Sequence, residues 1–312
     1  MRPQPTRLLP AIIVGSLVFA ACGSDDDASS DDASESTEAA TDDTTATDDS
    51  APATAADDAA SSGAECTDTI EDGVLTIATG EPAFFPWVID DDPTTGEGFE
   101  SAVAYAVADE MGYADDSVVW VRTTFDAAIQ PGAKDFDVNL QQFSITDERR
   151  ETIDMSLPYF TSNQAIVALE GSAAEGATSI ADLKDVKFGA QAGTTSLDFI
   201  NDVIQPTQET FVYDDNVGAK AALEANQIDA AVFDLPTALF VSAVEIDGSS
   251  VIGQFPADSG GTTDQFGFVL EKDSPLTSCV DAALQSLTDD GSLDALTQEW
   301  LSDNTGAPVI SE

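Results

Sequence analysis

The sequence predicts an α/β protein of two lobes. Apolar strand-like segments alternate with amphipathic helical ones in two successive runs, and two further apolar segments flank the second run. The 312 residues, less a low-complexity front, leave room for about two units of ordinary domain size. Strand and helix alternating in series point to largely parallel sheets, because a parallel pair needs a long crossover that a helix supplies.

The front of the chain is of another kind. Arg2 and Arg7 precede an apolar run, 8–21, that closes on Ala20-Ala21-Cys22. A charged start, an apolar stretch too short to span a bilayer comfortably and small residues at its end make a secretory signal. A Cys directly after the small residues, with a polar stretch at once behind it, resembles the bacterial lipobox. That resemblance implies a lipoprotein signal over 1–22, with Cys22 lipidated as the mature N-terminus. The protein is then extracytoplasmic, held to the outer face of the cell membrane by the lipid alone. Residues 23–64 follow as a linker; 24–64 carry 13 acidic residues and no basic or aromatic ones. Such a stretch buries too little apolar surface to offset its ordering entropy, and as a flexible coil it spans roughly 35 Å.

The folded part is expected in three stretches: 65–166 as the first lobe, 167–263 as the second, and 264–312 as a return to the first. In the first run, 74–78 reads as a buried strand. Phe99, Val103, Val107 and Met111 recur at helical spacing and stop at Gly112. Then come a strand at 118–121, a short helix at 125–129 and a strand at 136–140. The second run repeats the alternation: strand 187–190, helix 195–204, strand 210–213, helix 216–225, strand 228–233, helix 236–244. The apolar segments 165–169 and 266–270 suit crossings between lobes. Leu284, Leu287, Leu293, Leu296 and Trp300 read as helical and pack back on the first lobe.

Composition narrows the chemistry. With 59 acidic residues against 10 basic, the formal charge is −49, which repels nucleic acid and offers no basic face to anionic lipid. Histidine is absent, so Ser-His-Asp and Cys-His nucleophiles and His-ligated metals are excluded. Asp90-Asp91-Asp92 and Gly96 do not fall at EF-hand positions and read as a solvated turn. No metal or cofactor is expected.

Eight segments in order carry a family resemblance: Glu81-Pro82-Ala83-Phe84-Phe85-Pro86-Trp87, Gly98-Phe99-Glu100, Phe143-Ser144-Ile145-Thr146-Asp147-Glu148-Arg149, Pro158-Tyr159-Phe160, Ile180-Ala181-Asp182-Leu183-Lys184, Ala192-Gly193-Thr194-Thr195, Asp229-Ala230-Ala231-Val232-Phe233-Asp234 and Phe266-Gly267-Phe268-Val269. From about Gly73 to Trp300 the chain resembles the family 3 extracellular solute-binding proteins for polar amino acids. The resemblance implies a type II periplasmic-binding-protein-like fold with the ligand cleft between the lobes. It also implies a free amino acid as ligand, permease subunits of an ABC transporter as partners, a monomer, and no catalysis.

The residues suit such a ligand. A zwitterion withdrawn from water needs both of its charges answered. Arg149 is one of three arginines beyond the signal, and its planar fork matches a carboxylate. It follows Ser144 and Thr146 at a strand-to-helix junction, where free N–H groups also favour an anion. The resemblance implies that Arg149, with Ser144, binds the α-carboxylate, joined from the other lobe by Thr194 and Thr195. It implies that Asp234, at a strand end before Pro236, answers the α-ammonium, a placement in keeping with ligand sites beyond the carboxyl ends of strands. Phe84 matches the family's stacking aromatic, and Glu81 and Gln142 line the side-chain end of the pocket. Gln142-Phe143 stand where the family often has Gly-Met or Ser-Leu, so the amino acid itself stays open.

Two rivals share the fold: carboxylate-using lyases or glycosidases, and a sensory binding protein. A lyase needs a positioned acid of raised pKa, for which Glu81 is the candidate. Finally, once Cys22 is lipidated, Cys66 and Cys279 are the two thiols left in an exported chain, and a disulfide between them is expected.

Overall fold

The computed structural model describes residues 66–256, 264–301 and 307–310. The expected signal, Cys22 and the acidic linker lie outside the described residues.

The first sheet is built from β1 (Leu75–Thr79), β2 (Val118–Arg122), β3 (Val138–Asn139), β4 (Asp154–Ser162) and β10 (Asp264–Leu270), in the order β2-β1-β3-β10-β4. Its helices are α1 (Phe99–Glu110), α2 (Phe125–Ile129), α3 (Asp147–Thr152), α7 (Thr277–Asp289) and α8 (Ser292–Leu301). The second sheet holds β5 (Gln164–Leu169), β6 (Phe188–Gln191), β7 (Phe211–Tyr213), β8 (Ala230–Asp234) and β9 (Ser249–Phe255), in the order β7-β6-β8-β5-β9. Its helices are α4 (Thr195–Asp198), continued by a π-helical turn to Ile204, α5 (Asn216–Glu224) and α6 (Leu235–Phe240).

Two lobes are therefore present, but their sheets are mixed. β1 runs parallel to β2 and β3, whereas β10 is antiparallel to β3 and β4. In the second sheet β6 is parallel to β7 and β8, and β5 is antiparallel to β8 and β9. The expectation of largely parallel sheets is corrected for a physical reason. β5 and β10 arrive from the other lobe, so nothing obliges them to run parallel to the strands they join. Neither is itself a crossing, since each lies wholly in one sheet. β5 opens at Gln164, so the change of sheet falls at Asn163, ahead of the expected boundary at 166.

Period-two burial fixes both sheets between helical layers. β5 sends Ile166 and Ala168 into one core and Ala165 and Val167 into another, the pattern of a strand covered on both faces. In the first lobe Phe266, Phe268 and Leu270 of β10 join Trp87, Phe99 and Tyr159, while Val269 faces Phe143 and Ile153. α7 and α8 close this core against α1 through Leu284, Leu287 and Leu293. The entry to α1 needs glycine: Gly98 sits at φ +101, and a Cβ there would meet the Trp87 carbonyl oxygen at 2.6 Å. A disulfide joins Cys66 to Cys279 of α7, with Cα atoms 5.8 Å apart.

Residues 307–310 pack on the second lobe and not, as expected for 264–312, on the first. Gln254 of β9 donates to Pro308 O at 2.7 Å and accepts from Ile310 N at 3.0 Å, and Ile310 is buried in the second lobe's core. Gly253 makes room, since a Cβ on it would lie 2.5 Å from Ile310.

Candidate functional site

The carboxyl ends of the parallel strands of both sheets face one cavity of about 330 Å³. The loops after β1, β2 and β3 line it from one side, the ends of β6, β7 and β8 from the other. This is where an open α/β sheet leaves backbone groups and short loops free for a ligand. All eight expected residues, Glu81, Phe84, Gln142, Ser144, Arg149, Thr194, Thr195 and Asp234, line this cavity.

Arg149 is set by its own short helix. Thr146 caps α3 by accepting from Arg149 N at 3.1 Å, and the side chain turns back into the protein. Its Nη1 donates to Ser144 O at 2.7 Å and its Nη2 to Gly193 O, in the opposite lobe, at 2.9 Å. Arg149 is 9% exposed, and its guanidinium has no salt bridge among the described residues. Burial lowers its pKa, with Asp264, Asp198 and Glu148 pulling it back. A buried cation hydrogen-bonded to carbonyls, with no carboxylate in salt-bridge contact among the described residues, leaves room for an anion to answer its charge directly.

Hydroxyls surround it. Ser144 Oγ and Thr195 Oγ1 are 3.1 Å apart across the cleft. Thr194 caps α4, accepting from Leu197 N at 3.2 Å while donating to Gln191 O at 2.8 Å. Gln164, at the head of β5, donates to Thr195 Oγ1 at 3.3 Å and to Asp264, and accepts from Ser196 Oγ at 2.7 Å. Burial raises the Asp264 carboxyl, and Gln164, Ser144, Thr195 and Arg149 draw it down again.

Asp234 closes β8 and caps α6, accepting from Thr237 N at 2.9 Å, with Pro236 in the first turn. Withdrawal from water raises its carboxyl to about 6, against the pull of the Thr237 hydrogen bonds and with a push from Asp264.

Gln142 is held at φ +52, and its backbone N–H donates to Glu100 Oε1 at 2.8 Å. Its side-chain amide donates to the other oxygen of the same carboxylate. Glu100, buried in the first turn of α1, also accepts from the Tyr159 hydroxyl and is raised to about 7 by burial. The Gln142 amide is therefore committed to Glu100 and does not stand free at the side-chain end of the cavity.

The loop after β1 reaches across the cleft three times. Lys220 Nζ of α5 lies 4.4 Å from the Phe84 ring centroid, Phe85 packs tilted against Phe240 with centroids 4.4 Å apart, and Trp87 Nε1 donates to Thr237 Oγ1 at 2.9 Å. Of these aromatics Trp87 is core and Phe84 lines the cavity. The Asp90–Asp92 turn is pinned internally, Asp91 to Arg122 at 2.7 Å and Asp92 by capping Thr94 N at 3.1 Å.

Phe125 lines the cavity too, with the Arg149 guanidinium 5.4 Å from its centroid and Phe143 stacked behind it at 4.7 Å. Sequence reasoning assigned it only to a short helix. The available signal was its place just after Thr124, the N-cap of α2 in the loop that follows β2, as Phe84 lies in the loop that follows β1.

A profile of the bacterial extracellular solute-binding proteins, family 3, matches residues 75–303. A probable histidine-binding protein of Campylobacter jejuni is 28% identical over 229 residues, spanning 72% of this chain and 85% of the relative. The L-cystine-binding protein TcyJ of Escherichia coli is 28% identical over 233 residues, 74% of this chain and 83% of the relative. Among solved structures, an ancestral arginine-binding protein bound to glutamine superposes with a TM-score of 0.61 at 28% identity, covering 74% of this chain and 99% of that one.

Proposed function

Because the chain belongs to the bacterial extracellular solute-binding proteins, family 3, we propose that it captures a free amino acid between its lobes and delivers it to the permease subunits of an ABC importer. The observation that carries this reading is Arg149: a buried guanidinium, unpaired by any described carboxylate, beside a cavity that both lobes wall. The α-carboxylate takes the guanidinium fork, aided by the hydroxyls of Ser144, Thr194 and Thr195. Asp234 answers the α-ammonium. Phe84 and Phe125 flank the side chain, and Glu81 stands at its far end.

Binding and not turnover is the role. The protein acts as a monomer, secreted and tethered outside the membrane through a diacylated Cys22, with 23–64 as a flexible spacer. Relatives named for histidine and L-cystine binding support the ligand class. A thermal-shift screen of the twenty amino acids and cystine, run with product analysis, tests it. Saturable stabilisation without product is the expected result. Stabilisation by none of them, or conversion of the ligand, overturns the reading. For the tether, the intact mass of membrane-extracted protein should carry two acyl chains, and a Cys22→Ala variant should appear in the medium.

A further inference from the structure

The charge lining the cavity points to the ligand's side chain. Five carboxylates line it, Glu81, Asp126, Asp214, Asp215 and Asp234, against the single guanidinium of Arg149. Two of these are engaged in capping: Asp234 at α6 and Asp215 at α5, where it accepts from Gly218 N at 2.7 Å. Glu81, Asp126 and Asp214 have neither a hydrogen bond nor an ion pair to another described residue. They come from three different elements: the loop after β1, the first turn of α2 and the loop after β7. Both lobes therefore bring unpaired negative charge to one cavity.

The zwitterionic end of an amino acid leaves this excess untouched, because Arg149 and Asp234 answer it one for one. What remains, among the described residues, is a wall of carboxylates with no cation of its own. A glutamate side chain would meet like charge there, and a neutral one would leave the field unused. Two of the rings lining the cavity already face cations: Lys220 Nζ stands 4.4 Å from the Phe84 centroid, and Arg149 stands 5.4 Å from that of Phe125. Lys220 adds no net positive charge to this corner, being paired with Glu245 at 2.8 Å.

We infer that the cleft selects an amino acid with a cationic side chain, arginine or lysine, whose charge is met by Glu81, Asp126 and Asp214. The inference rests on the amino-acid-binding reading above and narrows it.

Calorimetry with neutral isosteres tests it: arginine against citrulline, lysine against norleucine, with glutamine and glutamate alongside. A solvent-facing charge pair contributes only a few-fold, but three acting on one cation should favour arginine or lysine by about tenfold or more over the isostere. The chain is acidic everywhere, so the comparison is repeated in 1 M salt, where the general surface field is screened within about 3 Å. A preference that persists there belongs to the cavity. The Glu81→Gln/Asp214→Asn double variant, with its unliganded melting temperature checked, should narrow the arginine-to-citrulline gap at least threefold. Glutamine or glutamate binding more tightly than both cations, citrulline within threefold of arginine, or an unchanged gap in the double variant overturns the inference. Binding of no amino acid at all would instead remove the reading beneath it.

Discussion

The indole N–H of Trp87, buried in the core of the first lobe, donates at 2.9 Å to the hydroxyl of Thr237, in the first turn of α6 on the second. Thr237 also donates its backbone N–H to Asp234. The residue that holds the cavity-lining acid in place is thus itself held by the opposite core. Trp87 meets Phe99, Phe160 and Phe266 edge-on, so its ring has no freedom to follow a displaced partner.

Removing the acceptor should therefore be costly. Thr237→Val keeps the shape but leaves a fully buried indole N–H without a partner, a loss of about 1–3 kcal/mol. Thr237→Ser keeps the hydroxyl and should stay within about 1 kcal/mol of wild type. Denaturant melts of the two variants read the difference, and equal midpoints would show that the hydrogen bond contributes nothing net.

Asp234 and Glu100 set the response to pH. Burial raises their carboxyls to about 6 and about 7, above their ordinary values of 3.8 and 4.5. Between each ordinary value and its raised one the folded protein holds more protons than the unfolded chain, so stability falls as pH rises through that interval. The unliganded protein should be more stable at pH 5 than at pH 7.5. Ligand affinity should move the opposite way, because an ammonium needs the Asp234 carboxylate, which is lost below about pH 6. Melting temperature and calorimetric affinity from pH 4.5 to 8 test both slopes. Asp234→Asn should flatten the affinity profile near pH 6.

The Cys66–Cys279 bridge spans 213 residues. Chain-entropy reasoning sets its stabilisation at about 5 kcal/mol, with native disulfides commonly contributing about 2–5. Reduction, or the Cys66→Ser/Cys279→Ser variant, should lower the melting temperature by roughly 5–15 °C. It should leave ligand affinity within about twofold, since neither cysteine lines the cavity. A thiol titration should find no free thiol in the folded domain before reduction and two after it.

Both lobes were legible because most of their strands are short apolar runs and their helices amphipathic, so period and element agree for β1–β3, β5–β8 and β10. The edges were not. β4 contains Pro158, which an interior strand would not tolerate, yet β4 is the outer strand of its sheet and shifts register opposite Gly267. β9 is likewise an edge, with Gly253 interrupting its apolar residues to admit Ile310. Strand direction escaped because alternation records which elements follow each other and not from which lobe they arrive. At the site, Arg149 was conspicuous as one of few arginines, whereas Asp264 was one acid among 59 and showed nothing in sequence to set it beside that guanidinium. Phe125 was hidden by a helical pattern that fits a core ring equally well.

Arg149 and Asp234 should be the two residues whose loss abolishes binding, each at its own end of the ligand. A micromolar site corresponds to about −8 kcal/mol, and removing one member of a desolvated charge pair costs roughly 2–5. Arg149→Ala should therefore weaken binding at least tenfold. Arg149→Lys should also fail, because a single ammonium cannot keep Ser144 O and Gly193 O, now on Nη1 and Nη2, and present a fork as well. Ligand analogues separate the two ends. The α-amide of the cognate amino acid lacks the carboxylate, so wild type should lose most of its affinity for it and Arg149→Ala should scarcely distinguish it from the acid. The des-amino analogue lacks the ammonium, so Asp234→Asn should cost far less with it than with the amino acid. Calorimetry of both variants against the three ligands decides the matter, with circular dichroism to show that each still folds. If Arg149→Ala binds the amino acid within twofold of wild type, the carboxylate is held elsewhere and the assignment fails at its central residue.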